Sequence, residues 1–525
     1  MGVAPRGIVP AVFLLSAATM AYEIVLIRLL SFRFWPHFVP LIVSQAMLGF
    51  GGAGVVLAVA RRRVEPHSGR LFAWTVLLSA PAFDLAYRAS QHVPFDPFLL
   101  LWDPLAWPRF GAFFFILSVP FFLSGAATAI PFAFLEVRPG PVYGASFAGL
   151  AAGAFGTLPF LAAAPTERLL FLPLALGAAA CFIVLSDAGG KRRKGRAAVA
   201  LAALLLLFLP PPEQRLTPYK DLSAVRRLPG AREIAARAGM EGDFRAVFAP
   251  GIHNAPGLSV RFQGEIPPQA ILFVDGEAIG TVPKGGGRSI PAYLGHFPSV
   301  LPYRLVDRPR VLQLGMKGAE GVLTAAAHGA KSVTVVEPAR ELVRLVRDDL
   351  REFSGGWPAT LPVEIREEGA RNFLARDRRV FDLIETTDIS SAAFSSLGVH
   401  ATGETFLLTR EGIRAVFARL GEGGVLAFSG WLKTPPREIA KILRTIRAEL
   451  AIAGLEPAAG RVVAVRGWGT FSVAARKIPF LPEETEQVKR FCAEHGYAMI
   501  WPREGGAREG EEERALLEAV SAALT

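Results

Sequence analysis

The sequence predicts an α-helical transmembrane bundle followed by an α/β unit, and three observations carry that prediction. Apolar residues concentrate in roughly the first 210 positions, in long runs separated by short polar breaks. From residue 310 onward, short β-type runs alternate with amphipathic helical runs. Finally, a chain of 525 residues that is 51% hydrophobic, with a positive mean hydropathy, is too large and too oily for one soluble domain.

Within the apolar half, the runs near 7–30, 38–60, 71–89, 109–135, 142–164, 168–186 and 197–210 give about seven candidate crossings. All but the last approach the length that spans roughly 30 Å of hydrocarbon. The first run contains Glu23 and lacks a small-residue cleavage site, so it is expected to be a retained anchor and not a signal peptide. The basic clusters "RRR" at 61–63 and "KRRKGR" at 191–196 mark cytoplasmic loops. They also account for much of the formal net charge of +11, since acids and bases nearly balance after residue 217. That pattern fits a lipid bilayer as partner and argues against nucleic acid.

Ionisable residues inside apolar runs are costly unless paired or facing a wet cavity. Glu23, Arg28 and Arg33 therefore read either as functional groups or as internally paired and interface-seeking side chains. Asp84 and Arg88, four apart, are expected to pair on one helix face. Gly149 and Gly153 have the spacing that lets helices approach closely. Cys181 and Cys492 form neither a disulfide framework nor a CxxC site, and His253, His296 and His400 are isolated, so no metal centre is expected.

The composition changes after the prolines at 210–212, which sets boundaries at 1–217 for the membrane part, 218–304 for a small β-rich module and 305–525 for the alternating unit. In the module, "FRAVFAP", "LSVRF" and "AILFVDGEAIGTV" read as strands. In the last part the expected order is strand 310–314, helix 318–329, strand 332–337, helix 339–353, strand 362–367, helix 369–376, strand 380–386, helix 409–420, strand 424–429 and helix 435–453. An antiparallel pair, "VVAV" with "TFSVAA", follows at a sheet edge. Thr409 is expected to cap its helix, and "GEGG" to end it. Such alternation gives a mostly parallel, Rossmann-like sheet with helices on both faces, an arrangement common to class I adenosylmethionine-dependent folds.

Residues 218–500 resemble the spermidine synthase family, and more closely its membrane-fused, spermidine-synthase-like bacterial branch. The resemblance rests on "SAATMAYEIVLIRLL" in the first span, then "LFVDGEAIG", "VLQLG", "VTVVEP", "FDLIETTD" and "LGEGGVLAFSGW" in family order. It implies a methyltransferase/spermidine-synthase domain and a transferase using S-adenosylmethionine or its decarboxylated form as donor substrate. The group moved would be aminopropyl or methyl, and the acceptor a small-molecule amine. The family's glycine loop, with its donor-contacting aspartate, appears here as "GMKGAEG", which keeps Gly315, Gly318 and Gly321 but introduces Met316 and Lys317 and has no aspartate. Glu337, at the end of the second strand, is positioned to accept both ribose hydroxyls of an adenosine. Where the family has an aspartate near the adenine, this chain has Gly369, with Glu368 one step earlier. Asp388 is offset by one position from the family's catalytic aspartate, with Glu385 nearby, and it is the expected proton acceptor for the attacking amine. The family's Tyr-His-Glu is replaced by Tyr293, Leu294 and Gly295.

Three readings stay open from sequence. One is a membrane-tethered transferase. Another is a non-catalytic nucleoside-binding domain that regulates or scaffolds the bundle, and the third makes the membrane half a small-molecule carrier. The oligomeric state stays open between monomer and homo-oligomer. The expected location is a multi-pass inner-membrane protein. Seven full crossings would put the α/β unit outside, so the short 197–210 segment is expected to lie at the interface, leaving that unit cytoplasmic.

Overall fold

The computed structural model describes residues 7–34, 39–135, 137–186, 192–316, 318–357, 361–386, 406–502 and 511–524. The chain divides into two compact units, Met1–Lys220 with Ala238–Asp243, and Asp221–Arg237 with Phe244–Thr525.

The first unit is helical. Among the described residues five helices are long and apolar enough to cross a membrane: Ile8–Arg33, Pro40–Val59, Ala106–Phe134, Pro139–Ala163 and Thr166–Ser186. Helices suit hydrocarbon because every backbone donor finds its acceptor within the segment. The other two expected crossings differ. Ser68–His92 has the length but carries Arg70, Asp84 and Arg88, and Arg192–Leu206 has only 15 residues. Asp84 is buried and pairs with Arg88 Nε at 2.5 Å. Arg33 is satisfied internally: its buried guanidinium donates to the carbonyls of Ser90 and Val93 at 3.1 and 3.4 Å. A cation there complements the carbonyls that end Ser68–His92 without an intrahelical donor.

Gly149 and Gly153 press the helix Pro139–Ala163 against Ile8–Arg33. A Cβ at Gly149 would lie 2.2 Å from the Phe13 carbonyl oxygen, and one at Gly153 2.3 Å from that of Ala17. Backbone cannot yield as a side chain would, so Gly153→Leu is expected to destabilise the folded protein by about 1–3 kcal/mol or more. Gly156→Leu, which faces open space, is the control. Thermal unfolding of the two purified variants checks this, and equal midpoints would remove the close-packing role.

The second unit holds two sheets. The smaller is antiparallel, in the order β1 (Arg232–Ala238), β2 (Asp243–Phe248), β3 (Gln269–Val274), β4 (Glu277–Pro283). Asp275 and Gly276 join β3 to β4 with φ of 46° and 81°, the two positive values that a tight two-residue hairpin turn requires. The segment "LSVRF" does not form a strand. Gly257, at φ +81°, turns the chain just before it, and Ser259 accepts from the Phe262 amide. In its place β1, unexpected from sequence, completes the sheet.

The larger sheet contains β5 (Arg310–Leu314), β6 (Ser332–Val336), β7 (Val363–Arg366), β8 (Phe381–Thr386), β9 (Leu420–Trp431), β10 (Val462–Arg466), β11 (Thr470–Ala475) and β12 (Ala498–Trp501). Their spatial order is β12-β10-β11-β9-β8-β5-β6-β7, parallel from β7 to β9 and antiparallel beyond. Side chains alternate between two cores, as strands covered on both faces require. Val311, Leu383 and Val425 enter one core, while Leu312, Ile384 and Leu426 enter the other.

Three expectations are corrected. "GEGG" does not end a helix; it lies inside β9, where a Cβ at Gly424 would stand 3.1 Å from the Asp382 carbonyl, so the glycines serve close strand approach. The helix expected at 339–353 is broken into Arg340–Arg344, a π-helical turn at Leu345–Asp349, and Arg351–Ser354. The β10–β11 pair is not the edge, because β12 pairs outside β10. Thr409 does cap Arg410–Arg419, accepting from the Gly412 amide at 3.2 Å, and Ile413, Val416 and Phe417 are buried.

Candidate functional site

In the parallel part of the sheet, succeeding strands run outward in one direction from β5 through β6 to β7, and in the other from β8 to β9. Between β5 and β8 the order reverses, and in such folds the crevice outside the carboxyl ends at that point receives ligand. A cavity of about 570 Å³ opens there, within the range that suits a small-molecule ligand.

Gly315, Gly318 and Gly321 all line it. Gly315 leaves β5 at φ 100°, with its amide bonded to the Val336 carbonyl at 2.9 Å. Gly318, at φ 107°, runs against β4, where a Cβ would fall 2.3 Å from the Thr281 carbonyl oxygen. That bridge to Thr281 delays the helix to Glu320–Ala327, two residues later than expected. A Cβ at Gly321 would stand 2.8 Å from the Gln313 side-chain nitrogen. The loop therefore keeps glycine where backbone and side chain leave no room, although Met316 interrupts it.

Two half-buried carboxylates face the same cavity. Glu320, in the glycine loop itself, accepts at Oε1 from the Thr281 hydroxyl at 2.5 Å and from the Tyr293 hydroxyl at 2.8 Å. Tyr293 is itself held by Gln269 Nε2 at 2.9 Å, and Gln269 Oε1 accepts from the Asn254 amide at 2.7 Å. Glu385, near the end of β8, accepts at Oε2 from the Tyr303 hydroxyl at 3.0 Å and from Gln313 Nε2 at 3.2 Å. Each carboxylate is thus anchored through one oxygen, and its second oxygen has no donor among the described residues. Burial pushes the Glu320 carboxyl above its usual range and raises that of Glu385 to about 7. Asp221 adds a third acid to the wall, its Oδ2 accepting from the Ala278 amide at 3.0 Å. Among the described lining residues there is no Arg, Lys or His. Such a surface suits a cation that can donate hydrogen bonds.

The other expected residues lie elsewhere. Glu337 is buried, with Oε2 accepting from the Met316 amide at 2.8 Å and Oε1 from the Ala339 amide at 2.9 Å. It ties the glycine loop to the end of β6 and is not among the described residues lining the cavity. Glu368 accepts from Arg376 at 3.3 Å, and it too stands apart from that wall. Asp388, Lys317 and His400 fall outside the described residues. Glu320 was not expected: the loop reads as lacking an aspartate, yet it carries a carboxylate one carbon longer directly before Gly321. Tyr293, a remnant of a lost motif by sequence, is the hydrogen-bond donor that fixes it.

The topology defines a mixed, Rossmann-like α/β unit with its cavity at the switch point of the sheet. No family profile matches the sequence, and no curated protein matches it. Among solved structures, the spermidine synthase from Thermotoga maritima aligns with 55% of this chain and 88% of its own, at 16% identity and a TM-score of 0.34. A spermidine synthase in complex with the transition-state analogue AdoDATO aligns over the same shares at 16% identity and 0.33. A putative SAM-dependent methyltransferase from Streptococcus mutans covers 55% of this chain and 67% of its own, at 12% identity and 0.26. The site's chemistry follows from this chain's own side chains.

Proposed function

We propose that this protein is a membrane-bound transferase that takes decarboxylated S-adenosylmethionine or S-adenosylmethionine as donor and moves an aminopropyl or methyl group to a small-molecule amine. The observation that carries the reading is the pair of half-anchored carboxylates, Glu320 and Glu385, beside a glycine loop at the sheet's switch point. The loop glycines admit a ligand close to backbone, and Glu320 faces the cationic end of the donor. The three acids on the described wall, Asp221, Glu320 and Glu385, would receive the cationic aminopropyl end of the decarboxylated donor, which favours that donor.

Glu385 is assigned as proton acceptor. The neutral amine's lone pair attacks the carbon bonded to the sulfonium sulfur, a C–N bond forms, and the C–S pair stays on sulfur as a neutral thioether. The proton released from nitrogen passes to the cavity-facing oxygen of Glu385. Asp388, outside the described residues, stays the alternative proton acceptor. Glu337, which holds the Met316 amide at the end of the second parallel strand, is retained as the proposed ribose contact. Glu368 is proposed for the adenine.

The donor is cytoplasmic, so this reading requires the α/β unit on that side of the inner membrane. The 15-residue length of Arg192–Leu206 supports a segment that does not cross. Purified full-length protein incubated with each donor and a mixture of amines is expected to release methylthioadenosine from the decarboxylated donor, or adenosylhomocysteine from the other. A folded preparation that releases neither overturns the transferase reading and favours a nucleoside-binding domain without catalysis.

A further inference from the structure

Resting on the transfer reading above, we infer that the acceptor is a primary amine carried on an apolar or aromatic body and not a linear polyamine. The cavity has two chemically different sides. Its acids cluster toward β4 and β8: Asp221 bonds to Ala278 of β4, Glu320 to Thr281 of the same strand, and Glu385 is part of β8. The glycine loop also meets β4 at Thr281, so the donor occupies that side.

Beyond Glu385 the wall changes. Strand register sets Glu385 beside Ala427, and β9 continues outward past Phe428 to Ser429, Gly430 and Trp431. Across from these, β11 sets Phe471 against Gly430 and Thr470 against Trp431. The turn Pro298–Val300 packs on both strands and brings Leu294 and Phe297 into the same wall. An amine nitrogen at Glu385 therefore has its body against Phe297 and Trp431, with Leu294 packed behind them, while the Phe471 side chain turns into the core on the sheet's other face. The hydroxyls nearby belong to Ser429 and Thr470 and are neutral; that of Ser429 is already bonded to Ser472 at 3.0 Å. A linear diamine would bring its far ammonium into this apolar lobe with no described carboxylate to receive it, which is unfavourable. An aryl or alkyl body there removes apolar surface from water and stacks on aromatic rings.

The test uses full-length protein and four acceptors: phenethylamine, hexylamine, putrescine and spermidine. Each is assayed with both donors for thioether release, and each is titrated calorimetrically for binding. The expected result is a kcat/KM for phenethylamine at least tenfold above that for putrescine, with the same order in Kd. Trp431→Ala should raise KM for phenethylamine at least tenfold and leave that for putrescine nearly unmoved, and Trp431→Phe should restore most of the loss. Putrescine turned over or bound as well as phenethylamine would overturn the inference while leaving the transfer reading intact. If no thioether forms with any acceptor, the transfer reading fails and binding decides alone: tighter phenethylamine supports the apolar lobe, and equal or tighter putrescine overturns it.

Discussion

Glu385→Gln is expected to lower turnover by about 10²–10⁴-fold while donor affinity stays near that of the wild type. Glutamine keeps an acceptor oxygen for the Tyr303 hydroxyl and Gln313 Nε2, so the anchoring bonds of the wild-type side chain survive. What changes is the group facing the cavity, where an amide NH₂ cannot take a proton from an amine. The wild-type carboxyl is raised to about 7 by burial, so its accepting form fills as pH rises through that value. At constant free-amine concentration, kcat/KM should climb through about pH 7 and level off, and the variant should lose that inflection. Thioether release followed chromatographically, with donor binding measured separately, checks both parts. Unchanged turnover in a folded variant would move the proton-accepting role away from Glu385, with Asp388 the next group to replace.

The fold was largely legible because its signals are local. Thr409 before an apolar face at Ile413, Val416 and Phe417 specifies a capped helix, and Asp275-Gly276 between two β-type runs specifies a hairpin. Failures came where distant backbone decides. The glycines at 421–424 look like a helix terminator, but their use is close approach to β8, which only the sheet register reveals. The candidate site was legible as a place and in part in its members. Gly315, Gly318 and Gly321 do line the cavity, and Glu337, read as a ribose ligand, also accepts from the Met316 and Ala339 amides. Glu320 escaped notice because its role depends on Tyr293, 27 positions away, and on Thr281, 39 away. No local pattern contains those distances.

Stability should also depend on pH through Glu385, in a direction opposite to that of an ordinary paired carboxylate. Its folded carboxyl lies near 7, and the ordinary value of 4.5 applies when the chain is unfolded. Between these values the folded state holds a proton that the unfolded state has released. Stability contributed by this group is therefore complete below about pH 4.5, falls as pH rises, and is lost above about pH 7. The span of the two values corresponds to about 3.4 kcal/mol, an upper bound for a half-buried group. Glu385→Gln abolishes the titration, so the variant should gain stability over the wild type on going from about pH 5 to about pH 8, by up to that amount. Burial raises Glu320 in the same direction, and Glu320→Gln should show the same sign. Denaturant unfolding of full-length protein at the two pH values, with urea to keep ionic strength constant, gives the comparison. Parallel pH profiles for wild type and Glu385→Gln would mean that the carboxylate keeps its charge in the cavity, and with it the proposed proton acceptor would be ionised well below neutrality.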